Sequence, residues 1–198
     1  MLILAADMNK NLYIISGCNG AGKTTASYTV LPDVLGCKEF VNADEIARGL
    51  SPFNPESVTI EAGRLMLQRI EDLLYKNETF SIETTLATKS YINLIRKAQA
   101  KGYTVRLLFF WLNSPELALQ RIEERVARGG HNIPESVVRR RYVTGISNLF
   151  HLFMNEVDFW EIYDNSVFPA IQVATGSKDE GTSIIVESTY KKIADYVK

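Results

Sequence analysis

The sequence predicts an α/β fold, a doubly wound, mainly parallel five-stranded sheet with a helical lid and a C-terminal hairpin. Three observations predict it. Short apolar, β-prone runs alternate with stretches whose apolar residues recur at three- and four-residue spacing. The run at residues 105–112 is nearly continuous in apolar residues, as a strand buried on both faces of a parallel sheet must be. Between the first run, residues 12–16, and the first helical stretch stands Gly17-Cys18-Asn19-Gly20-Ala21-Gly22-Lys23-Thr24, which reads G-x-x-x-x-G-K-T.

That loop is the signature of a P-loop nucleotide site. Three glycines let the backbone turn its N–H groups inward while the following helix aims its positive dipole end at the same point. Gly17, Cys18, Asn19, Gly20, Ala21, Gly22, Lys23, Thr24 and Thr25 are therefore the candidate ATP-binding residues, with Lys23 reaching the phosphates and Thr24 ligating Mg²⁺.

The bulk properties bound the rest. A chain of 198 residues suits one domain, expected to span 1–198. With 23 acidic and 22 basic residues the net charge is −1, so no global field attracts nucleic acid or anionic lipid. Residues 1–6 are apolar but lack a basic lead, and Asp7 ends them short of a signal-peptide core. No run approaches the ~18 apolar residues of a membrane span, and a cytoplasmic protein is expected. Cys18 and Cys37 read as reduced; Cys18, at a helix N-terminus, is a candidate reactive thiol against a plain loop position.

In chain order, residues 39–43 form a second strand that delivers Asp44 at its carboxyl end. A loop holding Pro52 follows, and then a helix with Asn54 as cap and Pro55 in its first turn, burying Val58, Ala62, Leu65, Met66, Ile70 and Leu73. Residues 80–84 are a third strand, and Ser90 caps a helix closed by Gly102. Ser114-Pro115 starts a helix that ends at Gly129-Gly130, and Pro134 starts another with Val138, Tyr142, Ile146, Leu149 and Phe153 on one face. Residues 159–163 are a fifth strand, residues 170–174 and 182–186 a hairpin, and a helix from Ser188 closes the chain.

Asp44 and Glu83 both fall at carboxyl ends of strands, on the rim where such sheets bind ligands. Asp44 is the candidate base for an acceptor hydroxyl, set against a helix cap; Glu83 is the candidate for orienting that hydroxyl, set against a solvated strand end. The fourth strand runs into Asn113-Ser114 without the acidic pair of a motor ATPase, which favours a kinase. Arg121, Arg125 and Arg128 share one helix face, and Arg139-Arg140-Arg141 lie on the return helix, the makings of a lid over about 125–141. The plainer alternative is a solvated face paired with Glu123 and Glu124. His131 beside the hinge reads as a surface residue.

The phosphate loop together with Asn42-Ala43-Asp44, Ala62-Gly63-Arg64, Glu83-Thr84-Thr85-Leu86, Arg125-Val126, Gly129-Gly130-His131, Ile133-Pro134-Glu135, Arg140-Arg141-Tyr142 and Tyr163-Asp164-Asn165-Ser166 resembles the zeta toxin family of P-loop kinases, over about residues 11 to 166. The resemblance implies a nucleoside-monophosphate-kinase-like fold that uses ATP and Mg²⁺ to phosphorylate a sugar hydroxyl of UDP-N-acetylglucosamine. It casts Asp44 as base, Lys23 and Thr24 as nucleotide and metal ligands, and Arg125 or Arg128 together with Arg141 as phosphate clamps. Arg64, Glu83, Thr84 and Arg125 become candidates for the acceptor site, and an antitoxin protein a candidate partner. A nucleotide-dependent switch that binds a protein and hydrolyses ATP stays open beside the kinase, whereas a kinase for nucleic-acid ends lacks its basic stripe.

If the loop holds phosphates, Lys23→Ala loses ATP affinity and turnover together, while Thr24→Ala mainly raises the Mg²⁺ requirement. Titration calorimetry with ATP checks this, and undiminished binding by Lys23→Ala would refute the assignment.

Overall fold

The computed structural model describes residues 10–130 and 132–197. β1 (Asn11–Ser16) runs into the glycine loop and α1 (Lys23–Asp33), which carries Pro32 in its last turn; the ring forfeits one helical N–H donor there, and the helix ends one residue later. β2 (Glu39–Val41) is two residues shorter than the sequence suggests. Asn42 takes the cap position instead, its side-chain oxygen accepting the Asp44 N–H at 2.8 Å, and α2 (Ala43–Leu50) begins at once. This helix is absent from the sequence reading, because its eight residues carry too short an apolar pattern to separate from a loop.

A 3₁₀ turn (Pro55–Val58) leads into α3 (Thr59–Lys76), which buries Ala62, Met66, Ile70, Leu73 and Leu74 and leaves Leu65 exposed. Then come β3 (Phe80–Thr84), α4 (Tyr91–Ala100) and β4 (Thr104–Trp111). α5 (Pro115–Ala127) starts under a Ser114 cap whose hydroxyl accepts the Leu117 N–H at 3.2 Å, as the Ser-Pro pair predicts. α6 (Glu135–Asn148) continues through a π-helical turn (Leu149–Phe153) into α7 (Met154–Glu156), and the expected stripe from Val138 to Phe153 is buried along this rod. β5 (Phe159–Asp164), β6 (Ile171–Ser177), β7 (Gly181–Ile184) and α8 (Glu187–Ala194) complete the chain.

The sheet order is β2-β3-β1-β4-β5-β6-β7. The first five strands are parallel, as expected, and β6 and β7 add to the β5 edge antiparallel, so the hairpin widens one sheet to seven strands. Ser16 pairs with both Thr84 and Phe109, which brings the carboxyl ends of β3, β1 and β4 level at the start of the glycine loop. Right-handed crossovers place α1 on one face and α3, α4 and the α5–α7 arm on the other. Leu12, Ile14, Phe80, Ile82, Val105, Leu107, Phe109 and Ile162 form the centre of the core.

The rod formed by α6 presses on the loop after β3. A Cβ on Gly145 would lie 2.5 Å from the Thr85 carbonyl oxygen, and the Asn148 amide donates to the Leu86 carbonyl at 2.7 Å. Leu86 is fully buried at a φ of 56°, a left-handed conformation that costs a leucine on the order of 1–2 kcal/mol. Packing thus overrides local preference at this loop. Gly145→Ala, which has no room for its methyl group, should destabilise the fold by about 1–3 kcal/mol, roughly 2–12 °C in Tm, while Ser136→Ala on the exposed side of the same helix leaves Tm unchanged. Thermal unfolding of the two variants checks this.

Candidate active site

The phosphate loop has the expected form. Gly17, Gly20 and Gly22 all have positive φ, and a Cβ on Gly17 would collide with the Phe110 carbonyl of β4. Gly22 caps α1, so Lys23 and Thr24 are its first residues. Lys23 is buried, and its ammonium donates to the Cys18 carbonyl at 3.0 Å, closing the loop on itself.

Glu83 is drawn into this loop. The Thr24 hydroxyl donates to its carboxylate at 2.8 Å, the Asn42 amide donates to the same oxygen at 2.9 Å, and the Lys23 ammonium lies 3.6 Å from the other oxygen. The sequence reading placed Glu83 against the acceptor; here its carboxylate sits on the two residues assigned to phosphate and metal. β3 pairs directly with β1, so the carboxylate beside Thr24 comes from the neighbouring strand. The missing acidic pair after β4 therefore carries no information about reaction class. Thr84 is buried, its hydroxyl accepting the Leu86 N–H at 3.1 Å.

Asp44 stands in the first turn of α2, one turn past the end of β2, where the cap is Asn42 and not Asp44 itself. Its side chain is exposed, with no ion pair among the described residues. Thr25 is exposed on α1, and Arg64 is exposed on α3.

The arginines separate into distinct groups. Arg141 donates to the Asn19 side-chain oxygen at 3.1 Å, which binds the return helix to the phosphate loop. Arg139 instead pairs with Glu116 at 2.6 Å and Glu135 at 2.7 Å, tying α6 to α5. Arg125 packs beneath the hinge, where a Cβ on Gly130 would lie 2.5 Å from its Cγ, and its carbonyl accepts the Gly130 N–H at 2.9 Å. Arg128, the C-cap of α5, is exposed. The alternative pairing of this face with Glu123 and Glu124 is not formed by Arg121, which reaches the Ser166 carbonyl at 3.3 Å. The reading of His131 lies outside the described residues.

Three asparagines complete the site, two of them, Asn42 and Asn165, with no role assigned from the sequence and the third, Asn19, known there only as part of the phosphate loop. The Asn165 amide donates to the Ala21 carbonyl at 2.7 Å and fills the space beside Gly22, while the Asn165 N–H reaches the Trp111 carbonyl at 2.9 Å. Asn42 bridges β2 to Glu83, and Asn19 holds Arg141. Their polarity at strand ends and in the loop is visible in the sequence; their partners, across 41, 122 and 144 residues, are not.

Comparison with known proteins follows this geometry. A family model described as Zeta toxin matches residues 4–166. The chain belongs to the zeta toxin family. This zeta toxin family member is 32% identical over 135 residues, 68% of its length, to an uncharacterized protein of Haemophilus influenzae, of which the match spans 94%. Its fold is that of solved structures at lower identity. The AvrRxo1-ORF1:AvrRxo1-ORF2 complex with sulphate ions gives a TM-score of 0.74 at 19% identity, over 93% of this chain and 63% of that one, so this chain is much the shorter. The PezAT chromosomal toxin–antitoxin system of Streptococcus pneumoniae gives 0.67 at 16%, over 96% and 88%. A gluconokinase of Sinorhizobium meliloti gives 0.52 at 12%, over 96% and 92%. The fold is the α/β fold of P-loop kinases, with a mostly parallel sheet and C-terminal antiparallel strands.

Of the two readings of Cys18, the plain loop position holds. Burial pushes its pKa up to about 11, outweighing the opposing pull of Lys23, its backbone hydrogen bond and Arg121, and burial raises Cys37 too. At pH 8 about one Cys18 in a thousand is then thiolate. Iodoacetamide at pH 8 should leave both cysteines of the folded protein unmodified and label both after unfolding, read by intact mass; labelling of native Cys18 would contradict the assignment.

Proposed function

We propose that the protein is an ATP- and Mg²⁺-dependent kinase that phosphorylates a hydroxyl of a small molecule, with UDP-N-acetylglucosamine the acceptor implied by the family. The observation that carries the reading is the contact of Glu83 with both Thr24 and Lys23 beneath the phosphate loop. A threonine hydroxyl and a carboxylate oxygen 2.8 Å apart are the hard oxygen donors that Mg²⁺ prefers, and the inward-turned loop fits a nucleotide triphosphate. Bound ATP supplies the phosphoryl group, and Mg²⁺ screens the charge on its phosphates.

The protein's own residues do the rest in this reading. Lys23 and the loop N–H groups hold the phosphates, and Glu83 fixes the orientation of Thr24. Asp44, exposed on the same rim, accepts the proton of the acceptor hydroxyl as its oxygen bonds to the terminal phosphorus of ATP and the bond from that phosphorus to ADP breaks. Arg141, already at the loop through Asn19, and Arg128 on the far arm steady the developing charge. Residues 125–141 act as the lid of a single kinase domain. An antitoxin partner is proposed because the similar solved structures are those of the AvrRxo1-ORF1:AvrRxo1-ORF2 pair and of the PezAT toxin–antitoxin system. No described helix is long and apolar enough to cross a membrane, which accords with the cytoplasmic site we propose.

Phosphate release and acceptor phosphorylation, measured side by side with and without UDP-N-acetylglucosamine, test the reading. Acceptor should accelerate ATP consumption and gain one phosphate by mass, and Asp44→Asn should lower kcat by about 10²-fold or more at unchanged ATP affinity. Steady hydrolysis that ignores every acceptor and survives both Asp44→Asn and Arg141→Ala would establish the protein-binding switch instead.

A further inference from the structure

Three glycines permit the shape of the phosphate loop but do not hold it. Gly17, Gly20 and Gly22 sit at φ of 140°, 79° and 80°, and a peptide flanked by glycine turns over at little steric cost. What faces the phosphates is therefore decided by the loop's neighbours. Gly17 and Gly20 rest against backbone, the carbonyls of Phe110 and Ala118, whereas the last peptide before Gly22 is met by a side chain, that of Asn165.

The Asn165 amide donates to the Ala21 carbonyl at 2.7 Å, and a Cβ on Gly22 would lie 2.7 Å from the same nitrogen. The peptide joining Ala21 to Gly22 is trans, so its N–H and its carbonyl point in opposite directions. A donor that holds the Ala21 oxygen thereby fixes the direction of the Gly22 N–H. Among the described residues none accepts that N–H, which leaves it for a ligand.

Asn165 reaches the loop across an intervening strand because its own corner is fixed. It follows β5, and β4 lies between β5 and β1. Its N–H donates to the Trp111 carbonyl at 2.9 Å, the Asn113 N–H to the Ser166 hydroxyl at 2.8 Å and Arg121 to the Ser166 carbonyl at 3.3 Å. The ordinary task of an asparagine in a turn, bonding the backbone two residues on, is done here by Asp164, whose carboxylate accepts the Ser166 N–H at 2.9 Å. The Asn165 amide is left to the loop.

We propose that Asn165 is a positioning residue of the phosphate loop: its amide locks the Ala21–Gly22 peptide with the Gly22 N–H turned toward the phosphates, so that the nucleotide meets a donor already aimed. The proposal rests on the nucleotide site of the kinase reading and is independent of the acceptor.

Asn165→Asp keeps the shape and loses the donor, and Asn165→Ala removes the group. Titration of full-length protein with a non-hydrolysable ATP analogue should find both variants weaker than the parent by about tenfold or more, the scale of one hydrogen bond to an anion. As the pH falls from about 7.5 to about 5, Asn165→Asp should regain affinity relative to the parent, because nearby phosphates favour the protonated carboxyl and its O–H donates again; Asn165→Ala should not. In ¹H–¹⁵N spectra at saturating ADP the Gly22 amide should move downfield in the parent and stay in Asn165→Ala. Affinity unchanged in both variants, or a Gly22 shift equal in parent and Asn165→Ala, overturns the assignment even where phosphoryl transfer is observed. Affinity lost in both without recovery of Asn165→Asp on acidification marks a merely structural residue and overturns it too. Donor-dependent affinity in a protein that phosphorylates no acceptor supports Asn165 and counts against the kinase reading alone.

Discussion

Lys23 and Glu83 have 6% and 10% of their side chains exposed, and neither could stay charged there alone. Stripping an ion of water costs several kcal/mol even after relaxation, and a partner repays this only when further hydrogen bonds satisfy the remaining donors and lone pairs. Here the Cys18 carbonyl, the Thr24 hydroxyl and the Asn42 amide do so. The cluster takes one residue or more from each of β1's loop, the cap after β2 and β3, so it forms only when those three strands lie in the order β2-β3-β1. Ile15 opposite Glu83 in the ladder sets the height of the carboxylate. A register slip of one residue would turn Glu83 to the other face of the sheet.

Such a cluster is a poor source of net stability and a strong source of specificity in arrangement. With its carboxylate on the loop, Glu83 leaves the rim beside it to Asp44, whose exposure suits a group that must meet a solute. Two acids that look alike in the sequence thus have opposite surroundings, one confined and hydrogen-bonded, the other open to water.

The phosphate loop, the five parallel strands and the α6 stripe were legible because each is written in local pattern: glycine spacing, continuous apolar runs, a 3.6-residue period. The misreadings share a cause. Asn42 looks like the last residue of a strand because extended backbone also suits a helix cap, its φ and ψ being −133° and 120°. The hairpin looked like an appendage because nothing in a strand's own residues says which edge it will join. Glu83 lies in the strand where it was expected, yet its contacts are not the expected ones, since they come from Thr24 and Asn42 at separations of 59 and 41 residues. For Cys18 the plainer reading stands: helix position alone argues for activation, and the buried surroundings oppose it.

The anchoring of α6 bears on which arginine can travel. Tyr142 is fully buried with its hydroxyl on the Leu112 carbonyl, Gly145 abuts Thr85, and Asn148 holds Leu86, so from Tyr142 onward the helix is riveted to the body of the sheet. If residues 125–141 are the lid we propose, Arg141 lies at its anchored end, next to the buried part of α6, and Arg128 lies across the glycine pair from it, so the two cations differ in their freedom to approach a phosphate.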